Sequence, residues 1–399
     1  MMIERTEYMN RLAYLKDKKV IKIITGIRRC GKSTLMEMFR DKLIRSGVPE
    51  SNIIYINFED YEKYDLRNPS ALHSYVTESL CEGMNYVFFD EIQHVNDFTA
   101  VVDSLFIKKN VDLYLTGSNA YMLSSELATF ISGRYIELPM LPLSFSEYVS
   151  ATGDERDLTR KYVDYVENSS FPYTLELRGN DSELRAYLEG IYNTVVVKDI
   201  ALRKKISDNM MLESVTRFML DNIGNVMSTK KIADSMTSSG RKIDVKTVEK
   251  YISALTESFI IYKAKRYNVK GKQYLKTLDK YYAVDIGLRY SLLGSRSADV
   301  GHILENIVYL ELLRRGYDVC IGKVDDCEVD FVAMKGRDIM YLQVAASVRD
   351  KSTLERELRP LMKIDDNYPK IILTLDDDPA CDYDGIKRLN ALEWLLGRV

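Results

Sequence analysis

The stretch Gly26-Ile27-Arg28-Arg29-Cys30-Gly31-Lys32-Ser33 decides the fold of the amino-terminal part of this chain. It matches Gly-x-x-x-x-Gly-Lys-Ser/Thr, the pattern of a loop that binds nucleotide phosphates. The largely apolar run at residues 20–24 before it predicts a buried parallel strand, and residues 34–39 after it predict a helix. Glycines at positions 26 and 31 let backbone N–H groups and the positive end of the helix dipole point at phosphate. Because strand, loop and helix occur in the required order, we predict a P-loop.

The residues of this loop receive individual roles. Lys32 is expected to bridge the β- and γ-phosphates, and Ser33 to hold Mg²⁺, so ATP and Mg²⁺ are the predicted cofactors. Cys30 is either a thiol whose pKa the loop lowers or, with more weight, a space-filling side chain. Nucleotide contact is assigned to the loop and the residue after it: Gly26, Ile27, Arg28, Arg29, Cys30, Gly31, Lys32, Ser33 and Thr34.

A second half of the site follows downstream. Residues 86–89 form a short apolar strand that ends in Asp90 and Glu91. This is the Walker B pattern, in which Asp90 supports the Mg²⁺ shell and Glu91 orients or polarises the attacking water. Such a strand end is usually ordinary when it occurs alone, but after a P-loop it belongs to the same site. The two adjacent acids favour hydrolysis over nucleotide storage.

A third strand is predicted at residues 111–115, and it ends in Thr116-Gly117-Ser118-Asn119. In P-loop ATPases with an additional strand, a polar residue at this place lies beside the γ-phosphate. Asn119 is our first choice for this sensor, and Thr116 or Ser118 could share the role. An ordinary turn has nearly equal weight for each residue, because all of them are good turn formers.

Four motifs together resemble a known family. They are residues 26–33, the run Asp90-Glu91-Ile92-Gln93, residues 115–119, and the stretch from Ser132 to Tyr148. In this order they resemble an AAA-type ATPase family of bacteria and archaea, related to the archaeal ATPases. In that family the ATPase precedes a domain of unknown function with a restriction-endonuclease-like core. The resemblance covers nearly the whole chain and implies an AAA-like core.

Arg134 is a candidate that depends on this resemblance. It precedes a predicted strand at residues 135–138, where an arginine could stabilise transition-state charge from its own subunit or from a neighbour. A role in trans would require a homo-oligomer. The alternative is an ion pair on a loop, and the resemblance gives the two interpretations about equal weight.

Composition agrees with a soluble, cytoplasmic, multidomain protein. A length of 399 residues suggests two or three domains. The chain begins without a secretory pattern and contains no apolar run long enough to span a bilayer, so no membrane partner is expected. Its five cysteines are scattered and form neither a disulfide framework nor a zinc pattern.

We predict an α/β fold with four segments. Residues 1–150 form an AAA-like core with a parallel, doubly wound sheet, and the nucleotide binds at the carboxyl ends of its strands. Residues 151–204 form a helical connector or lid, residues 205–298 a winged-helix domain, and residues 299–399 a PD-(D/E)XK-like domain.

The winged-helix prediction rests on charge and element order. Residues 205–280 contain 15 Lys and Arg against 8 Asp and Glu, an excess of seven positive charges, while the whole chain carries −3. Three helices fit, near 212–222, after Ser228 and from 245 to 258, and a β-hairpin follows them. A protein partner is the alternative to DNA at about half the weight. The residues expected to contact DNA are Lys246, Thr247, Lys250, Lys270 and Lys272.

The carboxyl-terminal segment follows the helix–strand–strand–strand order of the PD-(D/E)XK nuclease core, which it resembles. In that family a helix Glu, a strand Asp and an acid-x-Lys on the next strand bind a metal and activate water. Glu305 and Asp330 match the first two places, and Glu328 shares a strand face with Asp330. Gln343 and Ala345 stand in the third place, so both the acid and the lysine are missing. We therefore predict a degenerate, catalytically silent site.

Two classes of function are open at this point. In the first, the protein is an ATPase whose hydrolysis drives repeated work on nucleic acid. In the second, it is a nucleotide-gated switch that binds DNA or a protein partner with slow turnover. An ATP-regulated nuclease is the minority interpretation. The motifs themselves do not separate these classes.

Overall fold

The computed structural model describes residues 3–117, 133–153, 156–202, 206, 208–275, 278–294 and 299–399. Within these ranges the chain divides into two compact units. The first contains the residues up to 142 together with 257–259, and the second contains residues 143–256 and 260–399. No helix in these ranges is both long and apolar enough to cross a bilayer.

A parallel five-stranded sheet forms the centre of the first unit, and its order is β2-β3-β4-β1-β5. This confirms the predicted parallel α/β sheet. The third predicted strand, β4, lies between the P-loop strand β1 and the Walker B strand β3. The strands are β1 (Ile21–Thr25), β2 (Ile53–Asn57), β3 (Asn85–Asp90), β4 (Val111–Gly117) and β5 (Tyr135–Pro139).

Helices cover this sheet and bury its apolar side chains. β1, β3 and β4 are buried along their whole length, as expected for central strands of a parallel sheet with both faces covered. Their carboxyl ends consequently meet at one edge, which positions the loops that follow them. The helices are α1 (Thr6–Leu15), α2 (Lys32–Arg45), α3 (Pro69–Glu78) and α4 (Phe98–Ile107), with 3₁₀ turns at Glu50–Asn52, Tyr61–Arg67 and Ile92–His94.

The second unit begins with helices, the first of which starts before residue 151, where the connector was predicted to begin. A capping box starts the first of them, because Ser144 and Glu147 each bond the other's backbone N–H. The helical elements are α5 (Phe145–Thr152), α6 (Leu158–Glu167), a 3₁₀ turn (Pro172–Leu177), α7 (Asp181–Asn193) and a π-helical stretch (Thr194–Leu202).

Four helices and four strands follow among the described residues of the basic segment, and three of the helices lie close to the predicted positions. Ser228 and Asp244 cap the second and third helices through their side-chain oxygens, as expected for good N-cap residues. The elements are α8 (Asn209–Asp221), β6 (Val226–Met227), α9 (Thr229–Ser238), α10 (Val245–Glu257), β7 (Ile261–Asn268), β8 (Gln273–Tyr274), β9 (Asp279–Ala283) and α11 (Ile286–Leu293).

The carboxyl-terminal segment has the predicted helix–strand–strand–strand order and then continues. Its first helix is buried over most of its surface. The elements are α12 (Val300–Arg314), β10 (Asp318–Val324), β11 (Cys327–Lys335), β12 (Asp338–Ala345), α13 (Lys351–Met362), β13 (Lys370–Thr374), β14 (Cys381–Tyr383), β15 (Ile386–Asn390) and α14 (Ala391–Leu395).

One sheet runs through both the basic and the carboxyl-terminal segments. Its order is β14-β15-β13-β12-β11-β10-β7-β9-β6, with β8 paired to β7. β7 and β10 pair in parallel, with Lys265 opposite Cys320 and Asn268 opposite Lys323. The sequence pattern did not indicate this junction, because strand pairing uses backbone N–H and C=O groups that every residue carries.

Candidate functional site

The loop between β1 and α2 has the backbone geometry expected of a P-loop. Gly26 and Gly31 have φ of +147° and +102°, values that favour glycine. A Cβ atom at Gly26 would lie 2.2 Å from the carbonyl oxygen of Met140 and 3.1 Å from Cys30 Sγ. Gly26 is therefore required by close packing as well as by its φ.

Lys32 is the first residue of α2, and its side chain is buried. Its Nζ donates to the carbonyl oxygens of Gly26 at 3.1 Å and Ile27 at 3.3 Å. The same Nζ lies 3.7 Å from Glu91 Oε1. The structure thus brings the predicted phosphate-binding lysine and the predicted general base together.

Asp90 ends β3 and is fully buried. Its carboxylate accepts hydrogen bonds from Thr116 Oγ1 and Tyr55 OH, and the Ser33 side chain bonds it as well. Burial raises the pKa of the Asp90 carboxyl above its ordinary value, although the bonds from Thr116 and Ser33 oppose this. The Ser33 hydroxyl and the Asp90 carboxylate are adjacent oxygen donors of the kind that Mg²⁺ prefers, so these two residues fit the predicted metal.

Glu91 leaves the strand in a left-handed conformation, with φ 54° and ψ 49°. Its N–H donates to Thr116 Oγ1 at 2.8 Å. Its Oε2 accepts a hydrogen bond from Gln93 Nε2, while Oε1 is the oxygen nearest to Lys32. Gln93 belongs to the sequence run Asp90-Glu91-Ile92-Gln93, but the motif indicates no role for it. The only signal was an amide two residues after the acid.

The predicted sensor position is described in part. Asn119 and Ser118 lie outside the described residues. Thr116 is buried at the end of β4 and donates to Asp90 while it accepts from the Glu91 backbone. Its hydroxyl therefore connects the two Walker B acids.

Arg134 lies at the opposite edge of the sheet from the P-loop. Its carbonyl accepts from the N–H of Ile21, the first residue of β1, and β5 runs parallel to β1. Lys32 follows the other end of β1. The side chain of Arg134 is about half exposed and pairs with Asp103 Oδ1 at 3.5 Å. A catalytic role within its own subunit is therefore wrong, because the parallel strands separate this arginine from the phosphate loop.

The remaining loop side chains are placed as follows. Arg28 pairs with Glu59 at 3.3 Å, and Arg29 has a left-handed φ of 68°. Thr34 is exposed on the first turn of α2. Cys30 is fully buried, and burial raises the pKa of its thiol. The less favoured alternative, a lowered thiol pKa, is thus wrong, and the burial agrees with the favoured space-filling interpretation.

Arg5 is a P-loop contact that sequence reasoning missed. Its guanidinium is buried and donates to the carbonyl oxygens of Cys30 at 3.2 Å and Leu141 at 2.7 Å. It thereby ties the back of the loop to the segment that follows β5. A single arginine before a helix carries no sequence signal for such a role.

The predicted DNA-contacting residues do not form a uniform set. Lys246 and Lys250 are exposed one turn apart on α10, and Lys272 is exposed in the hairpin turn. Thr247 is half-buried and bonds Asp244 through its backbone N–H and its hydroxyl. Lys270 is already paired with a carboxylate of another turn, Asp325, at 2.7 Å.

The residues of the predicted degenerate nuclease site do come together, but with a lysine among them. Lys280 Nζ lies 3.0 Å from Glu305 Oε1, 2.8 Å from Glu328 Oε1 and 3.9 Å from Asp330 Oδ1. Tyr282 OH donates to the same Glu305 oxygen at 2.6 Å. The lysine place of the motif holds Ala345, as the sequence states, but β9 brings a cation to these acids from another segment, which the motif did not indicate.

Gln343 completes this cluster on its other side. Its Oε1 accepts from the Asp330 N–H at 2.7 Å, and its Nε2 donates to Glu357 Oε2 at 2.7 Å. Burial and the nearby Glu305 raise the pKa of the Asp330 carboxyl well above its usual range. Burial alone would lower the pKa of Lys280, but the surrounding carboxylates raise it. An ammonium group lies where carboxylates would share a metal, and no three suitable side chains in the described ranges are arranged to hold one. These residues do not fit a divalent ion.

Comparisons with known sequences identify two regions and two relatives. The family described as an AAA domain matches residues 18–149, and a domain of unknown function, DUF8612, matches residues 159–299. An uncharacterized protein of Haemophilus influenzae is 38% identical over 400 residues, which are 99% of this chain and 99% of that protein. The uncharacterized protein MJ1544 of Methanocaldococcus jannaschii is 27% identical over 383 residues, 90% of this chain and 82% of that protein.

A solved structure is also similar over much of the chain. The Walker-type ATPase PABY2304 of Pyrococcus abyssi aligns with a TM-score of 0.49 and 17% identity. The alignment covers 73% of this chain and 95% of that chain.

Proposed function

The chain belongs to a family of AAA-type proteins that includes the Haemophilus influenzae relative, and we propose that it hydrolyses ATP and couples nucleotide state to nucleic-acid binding. The observation that carries the ATPase proposal is the convergence of Lys32, Asp90 and Glu91 at one edge of the sheet. A P-loop lysine beside a buried acid pair is the arrangement needed to bind phosphates and activate water.

In the proposed hydrolysis each residue of the site has a separate role. The loop N–H groups and Lys32 bind the β- and γ-phosphates. Glu91 accepts a proton from water while the water oxygen bonds the γ-phosphorus and the bond from that phosphorus to the bridging oxygen breaks. ADP and phosphate leave, and the proton passes from Glu91 to solvent. Ser33 and Asp90 would hold Mg²⁺, which when bound neutralises phosphate charge.

Two substitutions separate binding from chemistry. Lys32→Ala should abolish tight ATP binding, because it removes the charge that binds the phosphates. Glu91→Gln should keep binding and lose hydrolysis, because an amide cannot accept the proton. Lys42→Ala on the exposed side of α2 and Glu78→Gln at the end of α3 are the matched controls. Turnover by Glu91→Gln within about twofold of wild type, or about 0.4 kcal/mol on the barrier, would contradict the assignment.

Support for nucleic-acid binding comes from α8, α9, α10 and the hairpin of β7 and β8, whose order along the chain is the one expected of a winged helix. We assign DNA contact to α10, whose Lys246 and Lys250 are both exposed on it. Lys272 in the hairpin turn is a further candidate. Lys270 contributes less, because Asp325 already neutralises its charge.

Salt dependence tests this surface. Converting both Lys246 and Lys250 to Glu should weaken binding to a fluorescent duplex and flatten the slope of log affinity against log salt by about 2. The control converts the exposed Lys351 and Lys387 of the carboxyl-terminal segment to Glu, which changes the charge equally. An unaltered slope in the α10 variant would favour a protein partner instead.

Turnover with and without duplex DNA separates the two classes of activity. Stimulation of ATP turnover by DNA indicates repeated work on nucleic acid. DNA affinity that changes with bound ATP analogue, at negligible turnover, indicates a switch.

For Arg134 we propose a role between subunits. A mixture of Arg134→Ala and Lys32→Ala subunits should regain turnover if each variant supplies what the other lacks. A mass measurement with ATP analogue would show the homo-oligomer that this requires.

A further inference from the structure

Glu91 requires support, because neither its backbone nor its side chain is fixed by the strand that precedes it. The left-handed region is unfavourable for a non-glycine residue, and Glu91 occupies it at φ 54°. Thr116 holds the backbone through the Glu91 N–H. A glutamate side chain still has three rotatable bonds, so the direction of its carboxylate needs a separate constraint.

Gln93 supplies that constraint. Its Nε2 donates to Glu91 Oε2, and its own position is set by the 3₁₀ turn Ile92–His94. Glu91 is 7% exposed, so water competes little for this bond. Since Oε2 is bound by the amide, Oε1 is the oxygen that faces Lys32, at 3.7 Å. The two carboxylate oxygens therefore have different surroundings.

We propose that Gln93 is a positioning residue for ATP hydrolysis, which aims Oε1 of Glu91 at the attacking water. The inference rests on the proposed ATPase function and adds the residue that orients its base. Gln93 touches neither nucleotide nor water in this scheme, and it acts through Glu91. Its loss should lower kcat and leave ATP affinity unchanged, because the phosphate ligands remain in place.

A double-mutant cycle provides the test. Gln93→Leu keeps the size of the side chain and removes its donor, and we expect kcat to fall about 10- to 100-fold with little change in KM or in affinity for a fluorescent ATP analogue. Gln93→Glu places a like charge beside Glu91 and should lose activity as well. Asn96→Ala removes an exposed amide from the same connection and is the matched control.

The readout specific to positioning is non-additivity. In a Glu91→Gln background, Gln93→Leu should cause no further loss beyond about twofold, because its target is gone. A purely structural glutamine would reduce activity in both backgrounds and lower the melting temperature. If Gln93→Leu does not fold, Gln93→Glu carries the same comparison. Wild-type kcat in either variant would overturn the inference alone, whereas wild-type kcat in Glu91→Gln would overturn the proposed function.

Discussion

The Nζ atom of Lys280 lies 3.0 Å from Glu305 Oε1, so that β9 and α12 meet in a buried ion pair. Both side chains are less than a tenth exposed. The pair joins the basic segment to the carboxyl-terminal segment at the same place where one sheet runs through both. A buried charge left without its partner is strongly destabilising. The cluster therefore holds the basic segment and the carboxyl-terminal segment of the second unit together, and we call it the Lys280 joint.

The substitution Lys280→Met tests whether the Lys280 joint stabilises the second unit. The change leaves Glu305 and its neighbours without their cation, so we expect the free energy of unfolding to fall by about 3–5 kcal/mol. Urea unfolding can be followed by the fluorescence of Trp394, which is the single tryptophan and is buried in the same unit. Lys263→Met is the control, because its pair with Asp279 is 39% exposed on the lysine side and exposed pairs contribute about 1 kcal/mol at most. Equal losses of unfolding free energy in Lys280→Met and Lys263→Met would show that the buried pair stabilises the second unit no more than an exposed pair does.

Asp330→Asn should change stability in a pH-dependent way. Burial and the neighbouring Glu305 raise the pKa of the Asp330 carboxyl in the folded protein, while Lys280 opposes them. A raised carboxyl pKa stabilises the fold below the ordinary value of 3.8, and this stabilisation is lost as the pH rises. The variant should therefore gain stability relative to wild type as the pH rises above about 4, because wild type loses the stabilisation there and the uncharged amide does not.

Asp326→Asn is the control of opposite sign. Hydrogen bonds from Lys363 lower the pKa of this exposed carboxyl to about 2. Its stabilisation is present above the ordinary pKa and disappears as the pH falls toward 2, so this variant should lose stability relative to wild type at neutral pH. The same pH trend in both variants would show that the surroundings of Asp330 do not cause the pH-dependent change in stability.

The nucleotide-binding edge could be predicted from the sequence because its signals are local. A glycine pattern after an apolar strand predicts the P-loop. An apolar strand that ends in Asp90 and Glu91 predicts the Walker B half of the same site. Each residue lies within a few positions of the strand that places it. The predicted helices of the basic segment were marked in the same way, by an apolar stripe and the caps Ser228 and Asp244.

Contacts between distant segments could not be predicted in this way. Lys280 stands in a basic stretch, and nothing in its neighbours distinguishes a buried lysine from an exposed one. Its partners lie in another segment, and they meet it only because β7 pairs with β10. The predicted role of Arg134 within its own subunit was wrong for a related reason. Its direction from the P-loop depends on β5 pairing in parallel with β1, which no residue pattern states.

Gly26→Ala should disrupt the P-loop beyond ordinary backbone strain. The added Cβ would approach the Met140 carbonyl oxygen to 2.2 Å at a φ of +147°. We expect ATP affinity to fall at least tenfold, or by about 1.4 kcal/mol, as measured by titration with a fluorescent ATP analogue. Gly47→Ala is the matched control, because its φ is +95° and nothing lies within 4 Å of the new Cβ. Similar ATP affinities in both variants would exclude the packing argument.

Thr116→Val should separate the hydroxyl from the shape of the side chain. Valine leaves the Glu91 N–H and an Asp90 oxygen without this partner, at a cost of about 1–3 kcal/mol for an unsatisfied buried group. Thr116→Ser keeps the hydroxyl and should retain ATP turnover close to wild type. Measurements of kcat and of the free energy of unfolding on both variants distinguish an effect of the hydroxyl from an effect of side-chain shape. If valine and serine behave alike, the hydroxyl does not connect the Walker B acids.

The carboxyl-terminal cluster should show no metal-dependent nuclease activity. A divalent ion at Glu305, Glu328 and Asp330 would have to displace the ammonium of Lys280, which β9 holds among these carboxylates. Two like-charged cations cannot share one buried set of acids without strong repulsion. We expect the purified protein to leave single- and double-stranded DNA intact with Mg²⁺ or Mn²⁺. Cleavage that disappears in Asp330→Ala and survives in Lys32→Ala would make the protein an ATP-regulated nuclease instead.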